Sequence, residues 1–111
     1  MWKIYRKLNK IYSLEYYKHK KFRRFIHDFI ENPNKQISLN LSKCEKIKNV
    51  SALGNIHTLN LSFCSKITDV SALGNVHTLI LSNCDNITGV SALRKVHTLD
   101  LDRFKNYIFS K

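Results

Sequence analysis

The chain has 111 residues, 43% of them apolar with only three Gly and one Pro, a balance that fits one ordered, packed domain and excludes a low-complexity chain. Lys and Arg number 19 against eight Asp and Glu, a net charge of +11 that favours anionic partners such as nucleic acid, lipid headgroups or acidic proteins. No apolar run approaches the length of about 18 residues that a membrane span needs, and Lys and Arg interrupt the N-terminal stretch too often for a secretory signal, so a soluble, intracellular, cytoplasmic protein is the expectation.

The first third is the basic part. Residues 1–35 hold ten basic and three acidic side chains, a net of +7, whereas residues 36–111 hold nine and five, a net of +4. A first helix is expected over about Trp2 to Tyr17, with Ile4, Leu8, Ile11 and Tyr12 on one side. Phe22, Phe25, Ile26, Phe29 and Ile30 follow the i, i+3, i+4, i+7, i+8 spacing and predict a second, amphipathic helix from about Lys20 to Glu31. The Asn32-Pro33-Asn34 turn ends it. Residues 1–35 are therefore read as a basic helical N-terminal cap whose second helix supplies the apolar face, with Lys18, Lys20, Lys21, Arg23 and Arg24 as a basic patch.

From residue 36 the chain repeats itself. Ile37 to Asn49 reads ISLNLSKCEKIKN, a half copy of the units that follow. Val50 to Asp69 reads VSALGNIHTLNLSFCSKITD, Val70 to Gly89 reads VSALGNVHTLILSNCDNITG, and Val90 onward reads VSALRKVHTLDLDRF. The period is 20 residues. Its apolar frame is Leu53, Ile56, Leu59, Leu61, Cys64, Ile67 and Val70, then Leu73, Val76, Leu79, Leu81, Cys84, Ile87 and Val90. The L-x-L step has the period of a strand with one buried face, and the three-residue steps suit tight turns or a 3₁₀-like return. A coil this short cannot bury its own apolar face, so neighbours must stack with their strands parallel.

Phe104 stands where a fourth Cys is expected. Phe104, Tyr107, Ile108 and Phe109 are read as a C-terminal cap over Leu99 and Leu101, with a truncated array or an end-to-end dimer as the alternative to a monomer. Residues 36–104 are thus the repeats, about three to four coils, and 105–111 the tail.

IHTLNLSFCSKI and VHTLILSNCDNI follow the L-x-x-L-x-L-x-x-N/C part of an L-x-x-L-x-L-x-x-N/C-x-L pattern, as does the first half of VHTLDLDRF, and in this the chain resembles the leucine-rich repeat family. The regular VSALGN-HTL-LS-C wording is similar to short arrays encoded by large DNA viruses and amoebal organisms, and a viral origin would place the protein in a host cytoplasm. The resemblance implies an α/β fold, a short, right-handed leucine-rich-repeat solenoid with parallel strands on a concave face, a 3₁₀ or turn return path and an N-terminal helical cap. It also implies protein binding on the concave face, where Asn40, Lys43, Thr58, Asn60, Ser62, Phe63, Thr78, Ile80, Asn83, Asp100, Asp102 and Arg103 are the candidate contacts. The Thr column is constant; the positions two and five residues later vary and are the better candidates for specificity.

Cys44, Cys64 and Cys84 form a column. A straight ladder does not converge as the four ligands of a zinc site must, and three evenly spaced thiols point away from a disulfide framework. In the family this position is buried with its polar atom facing the turn's backbone. His57, His77 and His97 form a second column, read as a by-product of unit copying, a transition-metal site or a pH sensor near about 6.5. No acid/base pair, Ser-His-Asp set, P-loop or dinucleotide glycine motif occurs, so a non-catalytic protein-interaction module without cofactor or metal is expected. Two other functions stay open: binding of nucleic acid or an anionic membrane surface through the basic N-terminus, and a ubiquitin-ligase substrate adaptor with a degenerate F-box-like N-terminus.

Overall fold

The computed structural model describes residues 7–29 and 36–101. Its order is β1 (Lys7–Leu8), α1 (Lys10–Lys18), α2 (Lys20–Phe29), β2 (Ser38–Asn40), β3 (Thr58–Asn60), β4 (Thr78–Ile80) and β5 (Thr98–Asp100). The strands form one parallel sheet in chain order, so the molecule is α/β with every strand beside its sequence neighbour. Register repeats at intervals of 20: Ser38 pairs Thr58, Thr78 and then Thr98, while Asn40 pairs Asn60, Ile80 and then Asp100.

The three-residue spacing in the sequence is a hydrogen-bond spacing. Cys64 donates its N–H to the Leu61 carbonyl at 3.2 Å, Ile67 to Cys64 at 3.3 Å, Leu73 to Val70 at 3.0 Å and Val76 to Leu73 at 3.1 Å. These return-path residues thus each cap the one three positions earlier, the i→i+3 geometry of 3₁₀ structure, whereas the Val70 N–H crosses to the Thr88 carbonyl of the next coil at 3.1 Å. Short 3₁₀ turns occupy Ser51–Leu53, Ser71–Leu73 and Val90–Leu93. Every position of the two frames is buried except Val90, which is half-buried. Burial of one such side chain contributes about 1.5–3 kcal/mol, and each side chain is covered in part by the coil beside it, so the coils stabilise one another.

Two glycines record how closely the coils approach. A Cβ on Gly54 would stand 2.9 Å from the Ala72 carbonyl oxygen of the next coil, and one on Gly74 2.7 Å from that of Ala92. Backbone leaves room only for hydrogen there. The third member of the column is Arg94.

The N-terminal region departs from expectation. Lys7 and Leu8, expected within a helix, form β1 and pair with Ser38 and Leu39 on the edge of β2. The helix starts only at Lys10, where the Asn9 side chain accepts the Tyr12 N–H at 2.9 Å as an N-cap. The edge of β2 that β1 does not reach is met by α1: Ser13 Oγ accepts the Asn40 N–H at 2.9 Å, and Lys10 Nζ donates to the Ser42 carbonyl. Further along the coil, the Tyr17 hydroxyl donates to the Asn49 carbonyl at 2.8 Å. Ser13 and Tyr16 are therefore the buried residues of α1, and Ile11 and Tyr12, read as its apolar side, are 68% and 42% exposed. An unpaired sheet edge is costly to leave open, and satisfying it outweighed burying Ile11.

The cap also inverts the expected roles of the two helices. α1 seats on β2, while α2 packs mainly against α1 through buried Ile26 and half-buried Phe22 and Phe25. The described part of α2 ends at Phe29. Trp2, Ile4, Ile30, Glu31, the Asn32-Pro33-Asn34 turn, Phe104, Tyr107, Ile108 and Phe109 lie outside the described residues.

Candidate functional site

The sheet turns Leu39, Leu59 and Leu79 inward and the residues on either side of them outward. Three outward columns result. The first, Ser38, Thr58, Thr78 and Thr98, is engaged with the histidines: Nδ1 of His57 and Oγ1 of Thr58 share a hydrogen bond at 2.9 Å, and His77 with Thr78 and His97 with Thr98 repeat it at 3.0 Å. The constant Thr residues thus hold imidazole rings in place.

The second column is Asn40, Asn60, Ile80 and Asp100. Asn40 Oδ1 accepts the N–H and the hydroxyl of Ser42 at 3.1 and 2.8 Å, and Asn60 Oδ1 accepts those of Ser62 at 3.0 and 2.8 Å. Such Asx turns end a strand by replacing its ladder with a local bond. The candidate contacts Asn40 and Asn60 therefore spend their carbonyl oxygens on the fold, and Ser62 is buried. Ile80 breaks the column with a half-exposed apolar side chain.

The third column carries an unexpected backbone. Lys43, Phe63 and Asn83 have φ of 64°, 63° and 63°, the left-handed region that side chains other than Asn and Asp seldom enter. Asn83 suits it; Lys43 and Phe63 do not. Phe63 is nevertheless 49% exposed, with Lys43 Nζ 6.0 Å from its ring centroid. Asn-Leu-Ser before Lys43 and Phe63 is a signal that could have marked the turn there, but nothing in Lys or Phe signals φ > 0. Asp102 and Arg103 lie outside the described residues; the other ten candidates fall on this one face, around Phe63 and Ile80.

The cysteine column sits opposite, in the core. Cys64 Sγ donates to the Leu41 carbonyl and Cys84 Sγ to that of Leu61, each at 3.0 Å. Burial pushes the Cys64 thiol up to about 11 and raises that of Cys84 as well. All three cysteines are free thiols, and Cys44 is the half-buried one.

The histidine rings stack with centroids 4.5 Å apart and planes tilted by 9° and 12°. A metal lies in the plane of each imidazole that binds it, and two nearly parallel planes at this spacing share no such point, so neighbours cannot chelate one ion. Among the described residues no group of three His, Cys, Asp or Glu side chains could hold a metal. Desolvation, and then the His77 ring, hold the His57 imidazole below its ordinary value.

Of the basic patch, Lys18, Lys20, Lys21 and Arg24 are exposed. Arg23 is half-buried and committed: Nη1 donates to the Tyr16 and Tyr17 carbonyls at 2.9 Å each, satisfying the end of α1, and its guanidinium lies 6.0 Å from the Tyr16 ring centroid. Burial raises the Tyr16 phenol to about 12, with Arg23 opposing, and its hydroxyl meets His27 Nε2 at 2.6 Å. Among the described residues no helix is long and apolar enough to cross a membrane.

No family model matches the chain, and no curated protein and no solved structure matches it.

Proposed function

We propose that this chain is a leucine-rich-repeat-like solenoid that binds a protein partner, without catalysis, on the outward face of its sheet. The observation that carries the reading is Phe63, a large aromatic side chain half in solvent on a backbone conformation that opposes it. Strain of about 1–3 kcal/mol persists at a position only where something else requires the residue, and an aromatic anchor on the same outward face as Ile80, at the end of a rigid strand array, is the form a protein-binding hot spot takes. Register-locked strands lose little entropy on contact, which suits recognition by a preformed surface. Three free thiols agree with an intracellular, reducing location.

The test is capture from cell extract at low and high salt by the full chain and by Phe63→Asn and Ile80→Thr variants. A discrete protein retained at both salts by the parent, and lost with variants of undiminished thermal stability, supports the reading. Retention unaffected by both substitutions rejects it.

A second reading rests on the N-terminal helices, where Ile11 and Tyr12 are exposed on a helix that ends in Lys18, with Lys20, Lys21 and Arg24 following. An apolar wedge beside exposed cations fits an anionic membrane surface. It predicts vesicle binding that falls steeply with salt and with Ile11→Ser, neither of which the sheet-face reading predicts.

A further inference from the structure

A cleft of about 470 Å³ opens between α1 and the 43–47 turn of the first coil, lined on its apolar side by Leu14, Tyr17, Cys44 and Ile47. Its origin is a mismatch of shapes. Elsewhere each coil is covered by another at strand spacing, about 4.8 Å, whereas a helix with its side chains is about 10 Å across. Laid where a preceding coil would stack, α1 meets the strand side of the first coil, with Ser13 on Asn40, and does not fill the space beside the turn. Cys44 registers the difference: Cys64 and Cys84 are fully buried and reach the preceding coil at 3.0 Å, while Cys44 is half-buried and, among the described residues, donates to its own coil's Ser42 carbonyl, at 3.7 Å.

The rest of the lining is charged. Lys18, Lys43 and Lys46 border the cleft with Glu45 as the one carboxylate, a net of +2, and all four are exposed. Among the described residues none of the three lysines makes an ion pair. A volume within the range of about 300–1,000 Å³ typical of small-molecule sites, an apolar wall and a rim with a net positive charge select a compact molecule with an apolar body and an anionic head. We propose that this cleft binds a free amphipathic carboxylate of medium chain length, its chain against Leu14, Tyr17 and Ile47 and its carboxylate towards Lys18 and Lys46.

The full chain is titrated with dodecanoate below its micelle-forming concentration while backbone amide resonances are followed. Saturable shifts centred on Leu14, Tyr17 and residues 44–47 are expected, with dodecyltrimethylammonium, the same tail on a cationic head, binding about tenfold more weakly. Reversing two exposed charges, Lys18→Glu with Lys46→Glu, is expected to weaken dodecanoate by about tenfold with the amide spectrum otherwise preserved. Leu14→Trp, which fills the cleft, removes binding of both amphiphiles. Equal affinity for the two head groups, shifts centred away from these residues, or retention on anionic vesicles without binding of free dodecanoate overturns the proposal.

Discussion

The Cys64 thiol donates to the carbonyl oxygen of Leu41 at 3.0 Å, one coil back, and Cys84 repeats the contact on Leu61 at the same distance. Each buried thiol thus stitches neighbouring coils together, and burial keeps it protonated: with Cys64 at about 11, almost no thiolate exists at neutral pH. A thiol reagent added to the native protein should modify Cys44 quickly and Cys64 and Cys84 only at the rate of unfolding. Three equal rates would show the ladder to be open. Cys64→Ala should lower stability by about 1–3 kcal/mol, since it removes the thiol's volume and strips the Leu41 carbonyl of its donor.

Gly54 and Gly74 allow a second, sharper test. Both have ordinary right-handed backbone, φ −68° and −63°, where Gly→Ala commonly stabilises by about 0.4–1 kcal/mol through the unfolded chain. Here the added Cβ meets the carbonyl oxygen of Ala72 or Ala92, so both substitutions should destabilise by about 1–3 kcal/mol. Arg94→Ala, in the same column, should change stability by less than about 0.5 kcal/mol. Chemical denaturation of the three variants decides the ordering, and a stabilised Gly74→Ala would overturn the close-approach argument.

Phe63 sets stability against the proposed binding. Phe63→Asn should relieve about 1 kcal/mol of left-handed strain, raising the melting temperature by about 4–8 °C, because Asn occupies the same conformation at residue 83 without penalty. The same change should abolish partner capture on the sheet face. A lower melting temperature would mean that the Phe63 ring, with Lys43 beside it, contributes more than the backbone strain removes.

These cases mark what can be read from the residues alone. The coil architecture was legible because one hydrogen-bond pattern recurs every 20 residues, and Leu61, Cys64 and Ile67 announce it by spacing. The outward position of Thr58, Asn60, Thr78 and Ile80 was implied by the resemblance, and the L-x-L step agrees with it. The left-handed column was not legible, because it is a property of the turn and only Asn83 of its three residues has a matching preference. Nor was β1: two residues, Lys7 and Leu8, become a strand only by meeting the distant edge of β2. Ser13 is buried for the same non-local reason, as the acceptor for Asn40, and no helical periodicity of apolar residues can report that. The candidate cleft beneath α1 is a product of this unreadable junction.

Acid should act on the coils at two places. Asp69 accepts the Ser71 N–H at 2.9 Å, and this bond, with a second from the Ser71 hydroxyl, holds its carboxyl below the ordinary value. A depressed folded-state value means that the contribution is complete above the unfolded carboxylate range, about 3.9, and is lost as pH falls through the folded value. Asp69→Asn keeps the acceptor, as Asn49 does for Ser51 in the preceding coil, and should erase this loss without weakening the neutral protein. His57 behaves alike for a different reason. Its imidazole is held down by desolvation and by His77 stacked at 4.5 Å, with Thr58 Oγ1 on Nδ1 and uncharged Gln36, Asn55 and Asn75 around it. The neutral ring is therefore favoured in the folded state, and stability should decline as pH falls below about 6.5, where the unfolded chain takes up the proton first. Urea midpoints measured from pH 7.5 to 3 should show two separate declines, the upper removed by His57→Gln and the lower by Asp69→Asn. If the upper decline survives His57→Gln, the stacked ring is not its source.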